Sequence, residues 1–149
     1  MKFKNMFSPI QIGPMTVKNR FVVPPMGNNF ANSDGTWSDE SVAYYGERAK
    51  GQFGLITIEA TVVHKGAKGG PKKPCLYDDN SIESLRKITD ACHEEGAKVS
   101  IQLQNAGPEG NAKNAGAPIQ AATAIASADG RDTVSYTHLR AHETREDLV

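Results

Sequence analysis

Ten residues, GLITIEATVV (54–63), run almost without a break through apolar and β-branched side chains. A strand with one wet face alternates; one this uniformly apolar is covered on both faces, as in a parallel sheet backed by helices. Two further runs share the character, RFVVPP (20–25) and KVSIQLQ (98–104). Helical segments separate them. Ser38 followed by Asp39 and Glu40 supplies a cap and negative charge for a helix to about Lys50, with Val42, Tyr45 and Ala49 on one face and Gly51 at its left-handed end. Asp79, Asn80 or Ser81 caps a second helix, whose apolar stripe is Ile82, Leu85, Ile88 and Ala91 and which ends at Gly96. Ahead of the first strand, PIQIG and MTVKNR flank Gly13-Pro14 and predict a β-hairpin.

Strand starts at 20, 54 and 98 leave room for right-handed crossover helices between parallel strands. The β-α-β-α-β order belongs equally to doubly wound sheets and to (β/α)8 barrels. No G-x-G-x-x-G follows the first strand, which weighs against a dinucleotide fold. In both architectures ligands bind at the carboxyl ends of the strands. Those ends read PPMGNN, EATVV and QLQN.

Each end has its own chemistry. Pro24 and Pro25 carry no N–H, so the backbone leaves the ladder there. Gly27 lets a flat ligand approach the main chain, and Ala60 offers a similarly small footprint. Gln102 brings two donors and an acceptor to the third strand. Backbone amides, small residues and one carboxamide suit an aromatic, hydrogen-bonding cofactor better than a metal. The plainer alternative makes Gln102 a polar core residue and the prolines mere strand terminators.

Composition excludes several classes. The 149 residues balance 17 Lys and Arg against 17 Asp and Glu, so no bulk field draws nucleic acid or an anionic membrane. No run reaches the ~20 apolar residues of a membrane span, and the N-terminus does not read as a signal peptide. Two cysteines make no disulfide framework, so a reducing, cytoplasmic setting is expected. Lysines 65, 68, 72 and 73 read as a solvated basic loop, and residues after Asn105 as a long exposed one. Glu59, near a strand end, could serve as a catalytic carboxylate. Cys92-His93 lacks an orienting third group, and His138 and His142 lack further metal ligands.

Three separated segments, FSPIQIGPMTVKNRFVVPPMGNNFA, YYGERAKGQFGLITIEATVV and LYDDNSIESLRKITDACHEEGAKVSIQLQNAG, resemble the N-terminal part of Old Yellow Enzyme-type NADH:flavin oxidoreductases. The flavour is that of the enoate and 2,4-dienoyl-CoA reductase branch. The resemblance implies the first part of a (β/α)8 TIM barrel, preceded by a β-hairpin, that holds FMN. NAD(P)H would reduce the flavin, which passes hydride to an activated C=C bond or similar small-molecule acceptor. By family position, the backbone of Pro24, Pro25, Met26 and Gly27 lies beside the ring, Ala60 makes close backbone contact, and Gln102 hydrogen-bonds the pyrimidine edge.

The departures also carry expectations. Gly27 stands where many relatives place a threonine or cysteine against the flavin, and Asn105 and Pro108 replace a family His and Arg. A TIM barrel takes ~250 residues, so the chain supplies three of eight strands. The family's proton donor and substrate anchors have no counterpart, and a 4Fe-4S cluster or FAD would belong to a longer parent. The reading is thus a partial FMN-binding domain over 1–132 and a non-native tail over 133–149, with homo-oligomerisation left to the whole protein. The alternative is a truncated, non-catalytic flavin binder or a half barrel that does not fold alone.

Overall fold

The structure is a computed structural model that describes residues 3–122 and 134–135. The chain forms two compact units, Met1–Val63 with Lys72–Gln104, and His64–Pro71 with Asn105–Val149. The first begins with an antiparallel hairpin of β1 (Ile10–Ile12) and β2 (Met15–Val17), in which Gln11 faces Thr16. Then come β3 (Val22–Val23), α1 (Asp39–Lys50), β4 (Leu55–Val62), α2 (Ser81–Glu94) and β5 (Lys98–Gln104). The sheet is parallel and ordered β3-β4-β5, so neighbours in sequence are neighbours in space.

Both helices cover one face of this sheet. Tyr45 and Ala49 from α1, and Ile88 and Cys92 from α2, pack with Val23, Ile56, Ile58 and Ala97. Burying each of the isoleucines fully contributes about 1.5–3 kcal/mol. The opposite face is open: Val22 is 48 % exposed, and the Thr57 and Ser100 hydroxyls pair across it at 2.8 Å. Ser38 caps α1 by accepting the Ser41 N–H. The left-handed residue after α1 is Gln52 (φ 65°), not Gly51, which stays near the helical region. On α2 the apolar stripe runs through Leu85, Ile88 and Cys92. Ile82 is exposed because its buried neighbour Ser81 anchors the first turn to the Cys75 carbonyl.

The proline pair sets what happens along β4. β3 ends opposite Ile56, two residues earlier than its sequence predicts. Beyond that point β4 finds other partners. The Glu59 N–H donates to the buried Tyr45 hydroxyl at 2.9 Å, and the Val62 N–H donates to the Pro74 carbonyl at 2.8 Å. Val62 in turn accepts from Leu76, so residues 74–76 form a short bridge where β3 has departed. That segment lies close against the β3–α1 loop. Gly35, at φ +94°, accepts the Cys75 N–H through its carbonyl, and a Cβ there would stand 2.7 Å from Cys75 Sγ.

In the second unit, residues 105–122 are more ordered than their composition predicts. A 3-10 turn over Gly107–Glu109 is followed by a short helix, α3 (Ala112–Ala115). The Asn111 side chain accepts from Lys113 and Asn114, and Gly116 ends the helix at φ 62°. Next is β6 (Gln120–Ala121), parallel to β7 (Val134–Ser135). Lys68, expected in a solvated loop, is buried at 5 % exposure. Apart from 134–135, the tail expected from 133 onward, with His138 and His142, lies outside the described residues. No helix among the described residues is long and apolar enough to cross a membrane.

Two tests follow from this packing. Tyr45→Phe leaves the Glu59 N–H without its acceptor and costs about 1–2 kcal/mol in urea unfolding. Burial pushes the Tyr45 hydroxyl from 10.0 up to about 12. A raised folded value means stability present below pH 10 and lost as pH rises through about 12, and the phenylalanine variant lacks that alkaline loss. Gly35→Ala costs about 1–3 kcal/mol, from strain at positive φ and from contact with Cys75. Adding Cys75→Ala removes only the 2.7 Å sulfur contact, because the Cβ of residue 75 still lies 2.8 Å away and the strain at positive φ remains.

Candidate ligand site at the carboxyl ends of the strands

Three adjacent parallel strands finish on one rim of the sheet, and the sequence-predicted residues meet there. β4 and β5 run in register to Ile58–Ile101, then shift, so that Glu59 and Ala60 together oppose Gln102. This is the two-against-one count of a β-bulge, which re-aims side chains near a strand end. It sets Ala60 beside Gln102. The Gln102 side chain is exposed and makes no hydrogen bond among the described residues.

The end of β3 is tied to the same place. After Pro25 the chain continues without regular secondary structure, and the Asn28 N–H donates to Glu59 Oε2 at 3.2 Å. Asn29, at φ 59°, then turns the chain, helped by the Asn28 side chain accepting the Phe30 N–H. Between the prolines and this clamp, the Met26 and Gly27 N–H groups have no partner among the described residues. The Met26 side chain is 57 % exposed. Pro24 through Gly27, Ala60 and Gln102 thus share one rim, with unspent backbone donors on one strand end and an unspent carboxamide on another.

The electrostatics centre on Glu59, whose side chain is fully buried. Burial pushes its carboxyl above the usual range, opposed first by the Asn28 N–H and next by the positive charge of Lys73. Oε1 of the carboxyl and the buried Asn28 Nδ2 close no hydrogen bond of ordinary geometry, although the Asn28 side chain and the Asn29 N–H lie near enough to the carboxyl to oppose its upward shift. Lys73 and Asn28 are site residues that the sequence reading missed. The basic stretch GPKKP pointed to solvent, and nothing in its spacing tells which lysine turns inward. Gly27 has a different neighbour from the one expected: a Cβ there would lie 2.9 Å from Lys73 Nζ and 3.8 Å from Glu59 Oε2.

Other singled-out residues stay apart from this rim. Cys92 is buried with its thiol pushed up to about 11 by desolvation, whereas His93 is exposed, so the two form no dyad. In the second unit, Asn105 spends its side-chain oxygen locally on the Gly107 N–H at 2.9 Å.

A planar, hydrogen-bonding ring fits the donor set: main-chain N–H groups on one side, a carboxamide on another, small side chains between. Comparison with known proteins bears on which ring. Residues 5–146 match the model of the NADH:flavin oxidoreductase / NADH oxidase family. The chain is similar to Old Yellow Enzyme from Pichia sp. AKU4542, with 30% identity and a TM-score of 0.81, covering 96% of this chain and 40% of that one. It is similar to the Old Yellow Enzyme homologue of Zymomonas mobilis, with 28% identity and a TM-score of 0.78, covering 97% and 42%. A 2-naphthoyl-CoA reductase matches at 27% identity and a TM-score of 0.80, over 97% of this chain and 24% of its own. The chain therefore spans less than half the length of these structures. The Old Yellow Enzymes are TIM barrels, and the hairpin with β3-α1-β4-α2-β5 is the N-terminal part of that barrel. By its match over most of its length, the chain belongs to the NADH:flavin oxidoreductase / NADH oxidase family.

Proposed function

We propose that this chain carries the FMN-holding strand ends of an NAD(P)H-dependent reductase that delivers hydride to an activated C=C bond or a similar small-molecule acceptor. The observation that carries the reading is the shared rim, where the bulge sets Ala60 opposite Gln102 and Glu59 clamps the end of β3 beside them. Bound FMN would supply the two-electron chemistry, and the protein would supply its position and electrostatic surroundings. The backbone of Pro24, Pro25, Met26 and Gly27 would lie along the ring, Ala60 would let it sit close, and Gln102 would hydrogen-bond its pyrimidine edge. The role of Gly27 is narrower than simple access, because the space over its Cα already holds the Lys73 ammonium.

No residue described here is assigned proton donation or substrate anchoring. The acceptor is read as a small molecule, in line with the 2-naphthoyl-CoA that one relative, by its name, reduces. That relative is about four times the length of the stretch matched, which leaves space for an iron–sulfur cluster and FAD in a longer parent. A reducing cytoplasm suits a chain whose two cysteines are both buried.

A second reading, a flavin binder without turnover, draws on the open sheet face. Val22, at 48 % exposure, leaves apolar surface on that face that further chain or another subunit must cover before a substrate pocket exists.

Titration with FMN, followed by quenching of flavin fluorescence, separates these readings from none at all. The expected result is a yellow, saturable complex, weakened about tenfold or more in Gln102→Leu by loss of ~1–2 hydrogen bonds. A protein that stays colourless with excess FMN overturns both. FMN bound without any NAD(P)H oxidation favours the second.

A further inference from the structure

The rim holds a cation whose hydrogen-bonding capacity is unspent. Lys73 is half-buried, and its ammonium makes no hydrogen bond among the described residues. The only ion pair shorter than 4.0 Å among those residues is Lys50–Glu47, so Lys73 faces Glu59 without closing on it. Its Nζ occupies the space a side chain at position 27 would fill, 2.9 Å from an ideal Cβ. Gly27 is not at positive φ, so its backbone would accept alanine, and the ammonium is what a Cβ would displace. The glycine makes room for the lysine.

Three features hold the ammonium there. Pro74 is buried and bonded to β4 through Val62, which fixes the backbone beside Lys73. The buried Glu59 carboxyl draws the positive charge inward. Glu59 Oε1 and Asn28 Nδ2, both buried and short of hydrogen bonds of ordinary geometry, keep the surroundings polar enough for a charged group. A half-buried ammonium without a hydrogen bond, beside the unpartnered Met26 and Gly27 N–H groups, is a point charge for whatever binds along that backbone.

We propose that Lys73, positioned by Glu59 and admitted by Gly27, contacts the bound ring and sets its redox potential by favouring the electron-rich, reduced state. This inference rests on the FMN reading above. A positive charge held against the ring attracts the electron density added on reduction, so removing it lowers the potential.

The test is the midpoint potential of bound FMN in the purified holoprotein, by equilibrium titration against reference dyes. Lys73→Met, which keeps the stem and loses the charge, is expected to weaken binding of reduced relative to oxidised FMN about tenfold, ~30 mV for a two-electron couple. Gly27→Ala, which pushes the ammonium aside, is expected to shift it the same way. Lys73→Arg keeps the charge and is expected to hold the potential nearer the wild-type value. Equal potentials in wild type and Lys73→Met overturn the inference while leaving the FMN reading intact, and so does an arginine variant that falls as far as the methionine one. Failure of the wild-type protein to bind FMN overturns the FMN reading and this inference with it.

Discussion

Two successive residues without an N–H decide the architecture of the rim. Pro24 and Pro25 end β3 opposite Ile56 and leave β4 to run on with one edge bare. Buried backbone donors seek partners, and an unmade hydrogen bond costs about 1–3 kcal/mol. β4 therefore recruits them from elsewhere: the Tyr45 hydroxyl from α1, and the 74–76 segment from the following loop. The same recruitment brings Lys73 to the site, because it precedes the proline that bonds to Val62. A strand break thus gathers polar groups on one rim.

The bulge on the other edge completes the arrangement. Glu59 and Ala60 face a single residue of β5, and the slack lets the glutamate side chain reach the Asn28 N–H while its own N–H goes to Tyr45. One residue, buried and acidic, thereby ties α1, β3 and β4 together. The carboxylate is costly to bury. Its neighbours are the offset, three of them drawn from the PPMGNN and GPKKP segments that composition alone marks as irregular.

Much of the frame was legible beforehand because it rests on local rules. Apolar runs of strand length, Ser38 as a cap and the proline pair each act within a few residues, and the hairpin, both helices and all three parallel strands form within those runs, with β3 shorter than its run. What the sequence concealed was tertiary. Gln52 rather than Gly51 takes the left-handed turn, and its carbonyl accepts from Asn19 and its side chain from Lys18, contacts 33 and 34 residues away. Ile82 loses its place in the core to a serine that reaches the Cys75 carbonyl. The helical turn at Ala112–Ala115 is nucleated by the Asn111 cap in a segment whose glycines and asparagines suggested none. At the site, strand-end positions were readable from order alone, whereas the inward lysine depended on a loop folding back along β4.

The fit of Gly35 against Cys75 has a bearing on how such chains diversify. One residue surrenders every side-chain atom so that the other's sulfur can rest on its main chain, and the loop that carries Lys73 is fastened through that same contact. The two positions are therefore a single heritable trait rather than two. A larger residue at position 75 presses on a main chain that has no side chain to yield, and no exchange at position 75 alone admits a side chain at position 35, where the positive φ is strained as well.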